Sequence, residues 1–79
     1  MSKVIIYSTP TCHFCHMAKD FFNEKGVKYE EFNVATDLEK RKEMLNKSGQ
    51  MGVPVIDIDG NIIVGFNHPK IAELLGIKD

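Results

Sequence analysis

The chain has 79 residues, 43% hydrophobic and 27% charged, with six glycines and three prolines. This is ordinary globular composition, which excludes disorder and collagen-like or low-complexity sequence, and at this length residues 1–79 are read as a single domain around one core. Ten basic against eleven acidic residues leave a net charge of −1, and neither half carries a basic stripe, so no nucleic acid and no anionic membrane surface is expected as a partner.

The first apolar run, Val4–Ile6, is too short for a signal-peptide core or a membrane span, so a cytoplasmic protein is expected. Lys3–Ser8 is β-branched and aromatic and stops at Thr9-Pro10, where proline removes a ladder donor; it predicts strand 1. From Cys12 to Lys25 the apolar residues Phe14, Met17, Ala18, Phe21 and Phe22 recur with helical spacing. Gly26 follows where a left-handed cap belongs. Thr11 is the expected cap of this helix, which puts Cys12 at its N-terminus and Cys15 one turn inside.

Val27–Val34 predicts strand 2, with an alternation that slips between Glu30 and Glu31 and so indicates a bulge or a sheet edge. Thr36-Asp37-Leu38-Glu39 reads as a capping box opening a second, mostly solvated helix to about Lys47, with Leu38, Arg41 and Leu45 on one face. Strand 3 at Val55–Ile58, a turn at Asp59-Gly60-Asn61 and strand 4 at Ile62–Val64 make a hairpin. A last helix starts at His68-Pro69, with Pro69 at its first position, and ends at Gly76 after Ile71, Ala72, Leu74 and Leu75. The order βαβαββα predicts an α/β fold: one four-stranded mixed sheet with helices on both faces.

Cys12-His13-Phe14-Cys15 directly after a strand and at the start of a helix is the setting of a redox pair. The partial positive charge and unpaired amides of a helix N-terminus favour a thiolate at Cys12. Cys15, nearer the apolar face, is poorly placed for outside attack but close enough to strike a mixed disulfide on Cys12. A protonated His13 would add to thiolate stabilisation and make the disulfide more oxidising.

Other readings stay open on the residues alone. Cys-x-x-Cys-His, completed by His16, also spells a haem attachment site with Met17, Met44 or Met51 as axial sulfur, but the strand-rich pattern leaves that reading isolated. Cys12, Cys15, His16 and His68 could ligate zinc, although the usual second close pair is absent, and a dimer could bridge an iron-sulfur cluster. Neither metal nor haem is expected. Purely structural cysteines, or a binding module without chemistry, complete the alternatives. Phe21, Phe22, Phe32 and Ile71 are read as core, Phe14 and Phe66 as groove-lining, and the charges of helix 2 as a solvated face.

The segments Tyr7-Ser8-Thr9-Pro10-Thr11-Cys12-His13-Phe14-Cys15, Gly52-Val53-Pro54 and Gly65-Phe66 resemble those of glutaredoxins and glutaredoxin-like redoxins, in order and spacing over nearly the whole chain. The resemblance implies a thioredoxin-like fold and dithiol–disulfide exchange at Cys12 and Cys15. It also implies a cis Pro54 facing the cysteines, with the Val53 backbone pairing with an extended thiol substrate. Substrate or glutathione contacts are expected from Thr11, His13, Phe14, Val53, Pro54, Gly65, Phe66 and Asn67. The implied partners are protein disulfides or glutathione mixed disulfides, with glutathione and glutathione reductase or thioredoxin reductase as the source of electrons, and the protein is expected to be a monomer.

The departures bear on the donor. Many glutathione-using members carry Pro-Tyr between the cysteines, a lysine shortly before them and an acid after the glycine turn; here stand His13-Phe14, Thr9 and Asn67-His68. Each charged hydrogen bond lost would weaken glutathione recognition by about 1–3 kcal/mol. Gly65-Phe66 also resembles redoxins that take electrons from thioredoxin reductase and serve ribonucleotide reductase.

Overall fold

Period-2 alternation and helical periodicity resolve into seven elements in the computed structural model, which describes residues 3–77. They are β1 (Val4–Ser8), α1 (His13–Glu24), β2 (Glu30–Asn33), α2 (Leu38–Ser48), β3 (Val55–Ile58), β4 (Asn61–Val64) and α3 (His68–Leu75). The four strands form one sheet in the order β2-β1-β3-β4. β1 pairs parallel with β2 through the α1 crossover, and antiparallel with β3, which pairs antiparallel with β4. This is the mixed sheet of a thioredoxin-like fold.

Strand alternation sorts the core into two layers. Val4, Ile6, Ile56, Ile58 and Ile63 face α1 and α3 and close over Ala18, Phe21, Phe22, Ile71 and Ala72. Tyr7, Val34 and Val55 face the other way, against Met44 of α2. Helices therefore cover both faces, as the element order requires.

Several boundaries move for local reasons. The cap of α1 is Cys12, not Thr11: the Cys12 sulfur accepts the Cys15 amide at 3.2 Å. The cap of α2 is Asp37, which accepts the Lys40 amide at 3.1 Å, while Thr36 turns its hydroxyl back to the Asn33 carbonyl. Asn67 caps α3 through the Lys70 amide, so Pro69 falls at the second helical position. β2 starts at Glu30 rather than Val27, because the Val27 amide closes the end of α1 on the Phe22 carbonyl at 2.8 Å and pairing with β1 begins at Ile5↔Glu30. The hairpin turn forms as expected, with positive φ at Asp59 (51°) and Gly60 (88°).

α2 is held less by burial than by charge. Met44 is its one buried side chain, whereas Leu38 and Leu45 are exposed. Lys47 reaches under the helix to Asp57 at 2.8 Å and the Tyr7 hydroxyl at 2.9 Å, and that hydroxyl also bonds Glu43. Burial disfavours the Lys47 charge, but the bonds to Asp57 and Tyr7 outweigh it and keep the ammonium protonated beyond the usual lysine range. Burial and the Glu43 bond together push the Tyr7 phenol up.

Lys47→Met should strand the buried Asp57 carboxylate and cost about 1–3 kcal/mol. The melting temperature should fall by on the order of 10 °C in a chain of this size, read by circular dichroism against an exposed control such as Lys70→Met, which should melt like the parent.

Candidate active site

β1 ends where Pro10 removes a donor, and the chain turns back at once: the Cys12 amide bonds the Thr9 carbonyl at 3.3 Å. Cys12 itself keeps an extended backbone (φ −85°, ψ 112°) and caps α1 with its sulfur. The His16 ring bonds the Pro10 carbonyl at 2.8 Å and the His16 amide bonds the Cys12 carbonyl at 3.2 Å, tying the first helical turn to the loop before it.

The second wall of the site comes from the segment entering β3. Val53-Pro54 is a cis peptide, and the Val53 carbonyl oxygen lies 3.7 Å from the Cys12 sulfur. Pro54 is buried, and its carbonyl accepts the Gly65 amide at 2.8 Å. Gly65 makes that bond at φ 79°, a conformation a side chain would strain. The loop after β4 is thereby fastened to the loop before β3, and the Val53 backbone is presented beside the Cys12 sulfur.

The two cysteines occupy opposite environments one turn apart. Cys12 is half-exposed, with its sulfur on the Cys15 amide at the helix N-terminus; Cys15 is fully buried. Burial, and then the hydrogen bond with Cys12, push the Cys15 thiol up to about 12. At neutral pH Cys15 is therefore a thiol, and Cys12 is the sulfur that solvent and substrate can reach.

The remaining expected contacts divide. Phe14 is 57% exposed beside Cys12, with its ring edge-on to His13, and both are open to a ligand. Thr11 is exposed in the preceding turn but does not cap the helix. Phe66 is half-buried and turned inward, packed on Phe21 and stacked on His68, which makes it a wall of the core more than of a groove. Asn67 spends its side-chain oxygen on the α3 cap. Phe32, expected in the core, is half-buried on edge strand β2, with the Lys40 ammonium 4.2 Å over its ring.

Two features were not read from the sequence. Arg41 and Lys42, assigned to a solvated face, line a groove with Leu38, Leu45 and Met51, and Met51 is two residues from Val53. Lys19 and Glu31 form an ion pair at 2.7 Å between α1 and β2. The signal for Glu31 was the alternation slip: there is no bulge, and Glu31 is an exposed charge on an edge strand, in register with Ile6 and paired with Lys19 of α1. Among the described residues no group of three or more His, Cys, Asp or Glu side chains is gathered to hold a metal, and no helix is long and apolar enough to cross a membrane.

Comparison with known proteins agrees with this geometry. The glutaredoxin family profile matches residues 4–63. A glutaredoxin-like 8.6 kDa protein encoded in the rubredoxin operon of Clostridium pasteurianum is 51% identical over 70 residues, covering 89% of this chain and 93% of the relative. Glutaredoxin 3 of Escherichia coli K12 is 42% identical over 65 residues, covering 82% of this chain and 78% of the relative. A crystallised thioredoxin-like protein superposes with a TM-score of 0.91 at 35% identity, covering 99% of this chain and 100% of that one. With a redox-type cysteine pair on a thioredoxin-like frame and a family match over most of its length, this chain belongs to the glutaredoxin family.

Proposed function

We propose that the protein is a thiol–disulfide oxidoreductase that reduces protein disulfides or glutathione mixed disulfides through Cys12 and Cys15. The observation that carries this reading is the Cys12 sulfur, held 3.2 Å from the Cys15 amide and 3.7 Å from the Val53 carbonyl while Cys15 is sealed beneath it. In the first step the Cys12 thiolate attacks one sulfur of the substrate disulfide; a Cys12 mixed disulfide forms and the other sulfur leaves as a thiolate. Cys15 then loses its proton and attacks the Cys12 sulfur. The Cys12–substrate bond breaks, and the substrate leaves with its electron pair and takes up a proton. Two electrons pass to the substrate, the internal disulfide closes, and a thiol donor reopens it.

Two donors fit this cycle. Glutathione is the common donor in the family, and Arg41 and Lys42, which line a groove with Met51, offer cations for a carboxylate where Thr9 offers none. The second reading is a redoxin reduced directly by thioredoxin reductase, which the departures at Thr9 and Asn67-His68 from the glutathione-using pattern support.

NADPH oxidation with a small disulfide acceptor separates the two: turnover with glutathione and glutathione reductase identifies the first donor, and turnover with thioredoxin reductase alone the second. Cys12→Ser should abolish both. Cys15→Ser should lose reduction of protein disulfides yet keep turnover of glutathione mixed disulfides, and equal activity in the two variants would reverse the assignment of roles.

Exposure makes a further prediction. Brief iodoacetamide treatment of the reduced native protein should label Cys12, with Cys15 modified only after unfolding, as read by peptide mass mapping; native labelling of Cys15 at the same rate would contradict its burial.

A further inference from the structure

The resolving step requires Cys15 to become a thiolate, although it is fully buried and held as a thiol. A buried thiolate needs an opposite charge nearby, and the fold supplies one. Lys19 lies one helical turn beyond Cys15 on α1, a spacing that leaves about 5–6 Å between Cβ atoms on the same face. Its side chain is 19% exposed and pinned by Glu31 of β2 at 2.7 Å. The same Glu31 oxygen accepts the hydroxyl of Ser8, the buried last residue of β1, at 2.8 Å. The backbone of the next residue, Thr9, acts with Lys19 to lower the Cys15 thiol against its burial. Three elements thus converge on the underside of the cysteine pair, and each contributes one part of a clamp.

We propose that Lys19, held in place by Glu31 and Ser8, is the cation that stabilises the Cys15 thiolate as it resolves the Cys12 mixed disulfide; this rests on the dithiol reading above. Lys19 touches no substrate atom and acts through Cys15, so it is a positioning residue. Cys12 and Lys19 act on Cys15 directly, Glu31 of β2 and Tyr29 just before it act on Lys19, and His16 of α1 acts on Glu31. Among these Lys19 is the cation that lowers Cys15, whereas Cys12 raises it. The bond to Glu31 outweighs burial and raises Lys19, so it stays charged wherever the chemistry runs. An unpinned lysine would sample many rotamers; the Glu31–Ser8 clamp holds its charge one helical turn from Cys15, and the proton that Cys15 loses is balanced by the one the departing thiolate takes up.

The test uses dithionitrobenzoate as the disulfide, followed by stopped-flow absorbance across pH. The first thionitrobenzoate released reports attack by Cys12. The second reports attack by Cys15 on the mixed disulfide, so the ratio of the two rates isolates the resolving step. In Lys19→Met the second release should slow about tenfold relative to the first near neutral pH, and its pH profile should move up by about one unit, the shift expected from removing a close opposite charge. Lys19→Arg should restore the parental profile. A second release that keeps its parental rate and pH profile in Lys19→Met, or in Glu31→Gln should Lys19→Met not fold by circular dichroism, overturns the proposal. A wild-type protein that releases one thionitrobenzoate only overturns the dithiol reading itself, and is distinguished by that stoichiometry.

Discussion

The cap of α1 is a sulfur, and the arrangement of the site follows from that one contact. Pro10 stops β1 and the Thr9–Cys12 bond reverses the chain, so the helix has to begin at Cys12, whose side chain then satisfies the Cys15 amide. A helix beginning there turns its N-terminal amides toward the Cys12 sulfur, which takes the Cys15 amide. It also drives Cys15 one turn down into the layer between α1 and the sheet, where solvent does not reach. One backbone reversal thereby sets both the partial exposure of the first cysteine and the burial of the second.

The surrounding fold supports that reversal from three directions. The Gly65–Pro54 bond locks the loop that carries Val53 against the Cys12 sulfur. The His16–Pro10 contact ties the first turn of α1 to the loop before it. Lys19 and Glu31, with the Ser8 hydroxyl on the same Glu31 oxygen, tie α1 to the edge strand β2 and to the end of β1. On the opposite face of the sheet, Lys47, Asp57, Tyr7 and Glu43 form a second polar network, which anchors α2 and so the start of the loop leading to Val53. Both networks pair their charges, as partly buried charges must.

Much of the fold was legible because local rules and tertiary packing agree. The β1 run, the amphipathic α1 and the Asp59-Gly60 turn each satisfy a short-range preference that the core also needs. The caps were harder: Thr11-Cys12 and Thr36-Asp37 offer two competent acceptors side by side, and the exit angle of the preceding chain decides between them. The start of β2 depends on where β1 stands, not on Val27 or Tyr29. In the site, Cys12 and Cys15 were legible from spacing and context, and Val53 and Pro54 from resemblance. The Lys19–Glu31 pair was not, because the parallel crossover, and nothing local, brings those residues together. Asn67 and Phe66, expected at the ligand, also serve the start of α3 and the edge of the core, roles that only packing reveals.

The central claim is that Cys12 carries the covalent intermediate and Cys15 releases it. The most direct test is intact-protein and peptide mass spectrometry of Cys15→Ser after a short exposure to oxidised glutathione. The account predicts one glutathionyl adduct per chain, mapped to Cys12, and in the parent protein its replacement by an internal disulfide. An unmodified chain, or an adduct elsewhere, would contradict it.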